Sequence, residues 1–277
     1  MDIQQRVAVV TGGASGIGRS LCLALAEQGA AAIVVADVDA GGAAQVAATI
    51  EAGGHRALAV TADVASAADA RALVARAQDA FGRIDLLCSN AGIIVGGGVE
   101  VPDEAWSRMW AVNVQSHVYL ARAILPGMLA RREGYLVYTA SAAGLLTQLG
   151  SAPYAVTKHA LVALAEWLYI TYADQGIGVS CLCPQAVSTN LGATSRRQVG
   201  ADTPTTWSDR GAGPQAAVDG VLTPDQVAAC VIEAIAQERF LILPHPEVAT
   251  YERRRADDRE RWLRGMRRLQ ARLSGGR

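Results

Sequence analysis

Short apolar runs alternate along the chain with longer segments in which apolar residues recur at helical spacing. The runs predict seven strands, at residues 6–11, 32–37, 57–61, 84–89, 134–140, 177–183 and 239–243. Alternating strands and helices are typical of a parallel sheet in an α/β protein. The second run is apolar from Ala31 to Ala36, which favours helices on both faces. We therefore expect a single doubly wound, Rossmann-type parallel sheet with right-handed crossovers.

One long segment interrupts this alternation between the sixth and seventh strands. Residues 192–220 are rich in Gly, Ser, Thr, Pro and Asp and show no clear periodicity. A loop of this length in a compact domain is usually a lid or a disordered segment. We expect residues 1–246 to form one cofactor-binding catalytic domain, with a substrate lid around residues 190–220.

Beyond this domain the chain becomes rich in arginine. Residues 251–272 contain nine arginines and four acidic residues, with Trp262, Met266, Leu269 and Leu273 at helical spacing. The favoured interpretation is a surface helix docked by one apolar stripe. A patch for nucleic acid or a membrane surface is the alternative, but the interleaved acidic residues favour the docked helix. Residues 247–277 are thus expected to form a helical extension.

Composition and charge restrict the partners and the location. A chain of 277 residues that is 51% hydrophobic can bury the core of one α/β domain. Its net charge of −1 gives no global field that would recruit nucleic acid or an anionic membrane, so we expect a small-molecule partner. Five cysteines without paired CxxC motifs indicate reduced thiols. No stretch resembles a signal peptide or reaches membrane-spanning length, so a cytoplasmic location is expected.

A glycine-rich turn joins the first strand to the first helix. Val7–Val10 leads into Thr-Gly-Gly-Ala-Ser-Gly-Ile-Gly at residues 11–18, where a helical pattern begins. Glycine lets backbone N–H groups approach a pyrophosphate at the helix N-terminus. A glycine-rich string alone is weak evidence, but its place between strand and helix favours a dinucleotide site. The residues expected to contact the cofactor here are Gly12, Ser15, Gly16, Ile17 and Gly18.

Asp37 ends the second predicted strand, 19 positions after Gly18. A carboxylate there can accept hydrogen bonds from the adenosine ribose hydroxyls and repel a 2′-phosphate. Residues 32–55 contain no Arg or Lys, and Ser15 precedes Gly16, so no cation is evident that would receive that phosphate. The pattern predicts NAD rather than NADP as cofactor; a solvated turn aspartate is the alternative.

Tyr154 and Lys158 are four positions apart in a helical segment, which places them on one face. A nearby cation favours the phenolate, so Tyr154 could exchange a proton with a substrate oxygen. Ser141, at the end of the fifth strand, can hydrogen-bond the same oxygen. Lys158 is the only lysine in the chain, and with seven tyrosines in 277 residues a randomly placed lysine would stand there in about 7 of 277 cases. The other 24 cations are arginines, which indicates that a guanidinium does not serve at this position.

Together these residues resemble the short-chain dehydrogenase/reductase family over about residues 5–245. The shared motifs are Thr-Gly-x3-Gly-x-Gly at 11–18, Asn90-Ala91-Gly92, Asn113, Ser141 and Tyr-x3-Lys at 154–158. The resemblance implies that Asn113 holds its helix so that a backbone carbonyl and a water extend the proton path from Lys158; an ordinary helix-interior asparagine is the alternative. It also implies a homo-oligomer, a tetramer or dimer, built through the helices around Asn113 and Tyr154. The apolar stretch Leu161–Ile170 fits either such an interface or the intramolecular core.

The resemblance implies further cofactor contacts. Asp63 and Val64 would contact the adenine, and Thr189 the carboxamide. The remaining residues expected at the cofactor are Asn90, Ala91, Gly92, Tyr154, Lys158, Pro184 and Val187. Gln185 departs from the family pattern, because the family usually has Gly after that proline, and a side chain there could project toward the nicotinamide or the substrate.

The expected substrate pocket is mainly apolar. Its predicted walls are residues 93–99, 142–150 and 190–215, and its predicted contact residues are Ile94, Ser141, Gln148, Tyr154 and Gln185. No metal is expected, because the histidines lack ligand spacing and Cys181 and Cys183 lie on a strand with side chains that we expect to face opposite ways.

These residues predict an NAD-dependent alcohol dehydrogenase or ketone reductase. Its substrate would be a secondary alcohol or ketone of moderate size, with Tyr154 as acid and base. A catalytically silent NAD-binding scaffold is the first alternative, and the complete set Asn113, Ser141, Tyr154 and Lys158 argues against it. A nucleotide-sugar epimerase or dehydratase is the second, but the glycine spacing at residues 11–18 fits the simple dehydrogenases better.

Overall fold

A computed structural model describes residues 1–199 and 219–274. The strands are β1 (Val7–Thr11), β2 (Ala32–Asp37), β3 (Ala57–Thr61), β4 (Leu86–Ser89), β5 (Gly134–Thr139), β6 (Ile177–Leu182) and β7 (Leu241–Ile242). The α-helices are α1 (Gly16–Glu27), α2 (Ala40–Ala52), α3 (Ala67–Phe81), α4 (Asp103–Trp110), α5 (Ser116–Arg131), α6 (Ala143–Leu146), α7 (Ala152–Tyr172), α8 (Leu191–Val199), α9 (Pro224–Gln237), α10 (Glu247–Asp257) and α11 (Arg259–Ser274). A π-helical turn (Ala111–Gln115) links α4 to α5, and a 3₁₀ turn (Ala173–Gln175) follows α7.

The strands form one parallel sheet in the order β3-β2-β1-β4-β5-β6-β7. In the centre, Val9 of β1 pairs with Val34 of β2 and with Leu87 of β4. The chain builds outward from β1 to β3 and then returns to the other side of β1, so the strand order reverses between β1 and β4. In sheets of this kind ligands bind in the crevice at the carboxyl ends of the strands, next to such a reversal.

The predicted seven-stranded parallel fold is confirmed. Each observed strand lies within its predicted run, β2 and β3 match it at both ends, and no other boundary differs by more than two residues. The largest difference is at β7, which is reduced to Leu241 and Ile242 because only these residues pair with β6. As the edge strand of the sheet, β7 has only β6 as a neighbour, so its length is set by that one pairing.

Alternate residues of the strands build a separate core on each face of the sheet. Val9, Val34 and Leu87 pack against α3, α5 and α7 on one face. Ala8, Ile33 and Leu86 pack against α1, α2 and α9 on the other. Burial on both faces explains why the strand sequences are apolar throughout rather than alternating.

The segments after β6 contain more helix than their composition indicated. The predicted loop 192–220 begins within α8, where the Ser195 hydroxyl donates to the Leu191 carbonyl and accepts from the backbone N–H of Ile94. The expected lid also includes residues 200–218, which lie outside the described residues. The arginine-rich tail forms α10 and α11, and Val248, Tyr251 and Trp262 pack against the core on the α7 side of the sheet.

None of the helices within residues 1–199 and 219–274 is long and apolar enough to cross a membrane.

Candidate active site

A cavity of about 640 Å³ opens at the carboxyl ends of the strands. The loops after β1, β2, β3, β4 and β6 and the turn after β5 all contribute to its walls. The sequence-predicted residues that line it are Gly12, Ser15, Gly16, Ile17, Asp37, Asp63, Val64, Asn90, Ala91, Gly92, Ile94, Ser141, Gln148, Tyr154, Lys158, Pro184, Gln185, Val187 and Thr189. Gly18 and Asn113 are the predicted site residues that lie behind this surface. The fold thus brings the predicted site residues together in one cavity, from almost every loop at this end of the sheet.

The glycine turn after β1 forms the end of the cavity next to α1. Gly12 and Gly16 have φ angles of +66° and +52°, a region that favours glycine. A Cβ on Gly12 would lie 3.0 Å from the Cα of Ala91, so the turn packs closely on the loop after β4. A Cβ on Gly18 would lie 2.0 Å from the Gly12 carbonyl oxygen. Gly18 therefore permits the turn to close, and its contact with a cofactor stays a prediction.

The first turn of α1 is free to bind an anion. Ser15 is the N-cap residue, and its side chain makes no capping hydrogen bond. The opening N–H groups of a helix have no partner within the helix, and they carry partial positive charge. Since Ser15, Gly16 and Ile17 line the cavity, this helix terminus fits a pyrophosphate.

Two carboxylates, those of Asp37 after β2 and Asp63 after β3, line the cavity. Asp37 accepts hydrogen bonds from the backbone N–H groups of Ala14 (3.0 Å) and Asp39 (2.9 Å). A carboxylate has about four lone-pair sites, so these two bonds leave Asp37 able to accept from further hydroxyls. Arg108 forms a bidentate salt bridge with Asp63, in which its two terminal nitrogens donate to the two carboxylate oxygens at 3.0 and 3.3 Å. Arg108 could not be predicted as part of this site from the sequence, because 45 positions separate it from Asp63.

Tyr154 and Lys158 are positioned by the start of α7. The Ser151 side chain caps the helix by accepting from the backbone N–H of Tyr154, and its own hydroxyl donates to the Val95 carbonyl. Pro153 occupies the first turn, where a missing N–H costs nothing. Tyr154 is therefore in the first turn and Lys158 one turn later on the same face.

Ser141 meets the Tyr154 side chain at the end of β5. The Ser141 hydroxyl accepts from the backbone N–H of Ala143 at 3.1 Å and lies 3.4 Å from the Pro184 carbonyl oxygen. The same hydroxyl is close enough to the Tyr154 phenol to lower its pKa. The two hydroxyls can therefore converge on one substrate oxygen.

Burial shifts both titratable groups away from their charged forms. It raises the pKa of Tyr154 to about 12, and the hydrogen bond from Ser141 acts in the opposite direction. It lowers the pKa of Lys158 to about 8. The Lys158 ammonium donates to the Thr139 carbonyl at 2.8 Å and lies 5.6 Å from the centre of the Tyr154 ring. The expected lowering of the Tyr154 pKa by this cation is not seen, and desolvation is the largest influence on that pKa.

Asn113 lies behind Lys158 and joins three elements. Its side-chain oxygen accepts from the Ile93 N–H at 2.8 Å, and its amide nitrogen donates to the Ile93 carbonyl at 2.8 Å and to the Thr157 hydroxyl at 3.2 Å. It sits in the π-helical turn, a feature frequent at functional sites. Asn113 is completely buried, so it supports the site without contacting a ligand directly.

The buried histidine below the site is neutral. Burial and the nearby Lys158 lower the pKa of His117 to about 3. Its Nδ1 atom lies 2.6 Å from the Ser89 hydroxyl. Because the imidazole carries no charge near neutral pH, it does not compete with Lys158 as a cation beneath the cavity.

The predicted substrate-pocket residues are part of the cavity wall. Ile94, Gln148 and Gln185 lie there as predicted, and the backbone N–H of Gln185 donates to Nδ1 of His245 at 3.2 Å. The predicted wall at residues 93–99 is too broad. Only Ile94 of that stretch lines the cavity, and Val99 is 91% exposed because the chain has already turned outward.

The C-terminal helices supply a wall that the sequence did not assign to the site. The residues of α10 and α11 that line the cavity are Tyr251, Arg254, Trp262, Gly265, Met266, Leu269, Arg272 and Leu273. Their spacing had indicated a docked helix, and the apolar stripe does dock, but over the active site. Helical periodicity shows which face is buried and not what it is buried against.

No group of three His, Cys, Asp or Glu side chains in residues 1–199 and 219–274 could hold a metal ion. The expectation that Cys181 and Cys183 face opposite ways is wrong, because residues two apart on a strand face the same way. Their sulfur atoms lie 3.8 Å apart in the core, and both remain free thiols.

Comparison with known proteins identifies the family. The model of the short chain dehydrogenase family matches residues 6–200. The chain is 37% identical to 1-deoxy-11-beta-hydroxypentalenate dehydrogenase of Streptomyces exfoliatus, covering 93% of this chain and 90% of the relative. It is 34% identical to 3beta-hydroxysteroid dehydrogenase 2 of Eggerthella lenta, covering 69% and 75%.

A solved structure gives the same assignment. A short chain dehydrogenase/reductase from Burkholderia phymatum in complex with NAD superimposes with a TM-score of 0.86 at 36% identity, covering 94% of this chain and 96% of that one. The protein belongs to the short-chain dehydrogenase family of oxidoreductases. Its relatives include dehydrogenases that act on hydroxyl groups.

The single lysine makes the electrostatics of the site directly measurable. In protein labelled only at lysine with carbon-13, the Cε chemical shift of Lys158 should titrate with a midpoint near the pKa of about 8. The ammonium is present below this pH and is lost above it, because burial disfavours the charged form. The urea-unfolded protein is the control and should titrate near about 10.4. A folded-state midpoint at that higher value would show that the site does not desolvate the amine.

Proposed function

We propose that this protein is an NAD-dependent dehydrogenase of secondary alcohols on apolar skeletons of moderate size, and that it reduces the corresponding ketones in reverse. The observation that carries the proposal is the convergence of Ser141, Tyr154 and Lys158 in one cavity that also contains the glycine turn. The names of two relatives, a hydroxypentalenate and a hydroxysteroid dehydrogenase, support an alcohol on a ring skeleton.

The side chains have distinct proposed tasks in alcohol oxidation. Tyr154 accepts the hydroxyl proton, while Ser141 donates a hydrogen bond to the same oxygen. When bound, NAD supplies the ring that accepts the hydride, and its positive charge favours the Tyr154 phenolate. Lys158, with a pKa of about 8, can pass a proton onward near neutral pH. Asn113 is a positioning residue that holds the loop after β4 and helix α7 around Lys158.

Replacement of the proposed base tests this assignment. Tyr154→Phe should lower kcat for the oxidation of a responsive secondary alcohol by about 10²-fold or more. NADH binding, followed by its fluorescence, should be nearly unchanged, because a phenyl ring of the same size remains. Tyr138→Phe is the matched control, since the buried Tyr138 hydroxyl has no hydrogen-bond partner among the described residues and does not line the cavity. Near-native turnover of Tyr154→Phe would remove this residue from its role.

Asp37 supports the preference for NAD over NADP. Its side chain is held by two backbone N–H groups at the cofactor end of the cavity. The charged residues among the described lining at that end are Asp37 and Asp63. Since Arg108 neutralises Asp63, a 2′-phosphate there would meet the negative charge of Asp37, whereas ribose hydroxyls would meet acceptors.

The neutral variant Asp37→Asn should lower the ratio of kcat/KM with NAD to kcat/KM with NADP. We expect a fall of about tenfold, equivalent to ~1.4 kcal/mol. Asp39→Asn is the control, because Asp39 caps α2 outside the cavity and asparagine caps a helix equally well. Equal use of both cofactors by the wild-type protein would contradict the proposal.

Exposed apolar side chains on α7 support a homo-oligomer. Trp167 and Ile170 are 56% and 80% exposed, whereas Leu161 and Leu168 of the same helix are buried in the core. The predicted stretch therefore serves the core with one face and leaves the other uncovered. Large apolar side chains grouped on one surface are typical of protein interfaces. We propose that a second copy of the chain covers this face.

Light scattering during size-exclusion chromatography should give a multiple of the 28.9 kDa chain mass. Ile170→Arg should shift the protein toward the monomer, because a buried unpaired charge at an interface costs several kcal/mol. Leu263→Arg is the control, since Leu263 is an exposed apolar residue elsewhere, on α11. A wild-type mass of one chain would refute the proposed assembly.

The remaining properties support a small-molecule enzyme of the cytoplasm. All five cysteines are free thiols and four are buried, which fits a reducing compartment. The net charge of −1 supports a small-molecule substrate over a nucleic-acid partner.

A further inference from the structure

Arg108 joins two cavity-lining segments that are far apart in the sequence. One terminal nitrogen of its guanidinium donates to Asp63 at 3.0 Å. The other donates both to Asp63 at 3.3 Å and to the side-chain carbonyl oxygen of Gln198 at 3.0 Å. Asp63 follows β3, and Gln198 lies in the last turn of α8; both line the cavity. Arg108 lies on α4 and bridges them with its charge.

The contact with Asp63 fixes the guanidinium independently of Gln198. The carboxylate of Asp63 also accepts from the backbone N–H of Ala65 at 3.1 Å, and the backbone N–H of Asp63 donates to Asp69 at 3.1 Å. Asp69 is in the first turn of α3, so this loop is held at the start of a helix. A bidentate arginine–carboxylate pair adds geometric specificity. The remaining N–H of Arg108 is therefore directed toward α8 by groups outside that helix.

Helix α8 presents one face to the cavity and begins beside the glycine turn. Leu191, Thr194 and Gln198 line the cavity, and their spacing places them on one side of the helix. Thr189, just before α8, lies 3.2 Å from the position that a Cβ on Gly16 would occupy. A helix of nine residues is about 13 Å long. The helix thus extends along the cavity from the glycine turn to Arg108.

Two hydrogen bonds of unequal protection join α8 to the segment between β4 and α5. The completely buried Ser195 hydroxyl accepts from the backbone N–H of Ile94 at 2.9 Å. Gln198 and Arg108 are both half-buried, so water can compete for the bond between them. The end of α8 at Gln198 is therefore the end that can separate first, and Arg108 is the residue that holds it.

We infer that Arg108 is a positioning residue that holds α8 against the bound cofactor, so that opening of the Arg108–Gln198 bond sets the rate of cofactor release. This inference rests on the proposed cofactor site, with the pyrophosphate beside Gly16 and the adenine beside Asp63. Helix α8 begins next to the first of these residues and ends at the charge partner of the second. A dinucleotide that occupies both positions lies along the cavity face of α8.

Cofactor release can be measured without turnover. NADH bound to the protein is displaced by excess NAD in a stopped-flow instrument, and the loss of NADH fluorescence gives the dissociation rate. Gln198→Leu removes the acceptor and should release NADH about tenfold faster, the size expected for one hydrogen bond to a charged group. Gln198→Glu should release NADH more slowly than the wild-type protein, because a carboxylate gives Arg108 a stronger, charge-assisted bond.

A double-mutant cycle assigns the effect to the contact itself. In the Arg108→Gln background, Gln198→Leu should cause no further acceleration, because its partner is already absent. Arg197→Gln is the matched control on the same helix, at an exposed position outside the cavity lining, and should release NADH at the wild-type rate.

Three results would overturn the inference. The first is release from Gln198→Leu at the wild-type rate. The second is faster release from Gln198→Glu, which would place Gln198 in direct contact with the anionic cofactor. The third is an undiminished effect of Gln198→Leu in the Arg108→Gln background. Each of these leaves the proposed function standing, whereas a wild-type protein that binds no NADH would contradict the proposed function itself.

Discussion

A buried ammonium group needs an oxygen acceptor, and this requirement ties Lys158 to the centre of the sheet. The acceptor is the Thr139 carbonyl at the end of β5, a strand that is held on both sides by β4 and β6. Lys158 in turn limits the size of the residues that can pack against it. A Cβ on Gly92 would approach its ammonium to 3.4 Å, and a Cβ on Gly144 would lie 2.5 Å from its carbonyl oxygen. Small residues at these positions let α6, α7 and the loop after β4 close around one cation.

The same packing fixes the positions of the groups proposed to exchange protons. Ser141 follows β5 directly, Tyr154 begins α7, and Asn113 links α7 to the loop after β4 through Thr157 and Ile93. None of these contacts depends on a flexible surface loop. Rigid elements position reactive side chains more accurately than loops do, and the walls that meet the substrate are built from other parts of the chain.

The parts that could be predicted from sequence are those with a local cause. A strand that is buried on both faces has an apolar sequence throughout. A tight turn that packs closely on a neighbouring loop requires glycine. Tyr154 and Lys158 share a face because they are one helical turn apart. Asp63 and Arg108 pair across 45 positions, and no local pattern announces that contact. Helical periodicity of the C-terminal segment identified a buried stripe, but the surface beneath it follows only from the three-dimensional fold. The π-helical turn at Asn113 had no signal in the sequence. The glycine spacing at residues 11–18 likewise does not show that Gly18 is needed to clear the Gly12 carbonyl.

The position of α11 separates the two tasks of the site along the chain. The proposed proton exchange uses residues between Asn113 and Lys158, whereas one wall of the cavity comes from the last described helix, roughly a hundred residues later. One face of α11 lines the cavity, and the helix lies outside the sheet that forms the core. Substitutions there can therefore change the shape of the cavity while the buried centre around Lys158 stays intact. In evolutionary terms, the C-terminal helix is where this fold can acquire a new substrate at the lowest cost to its chemistry.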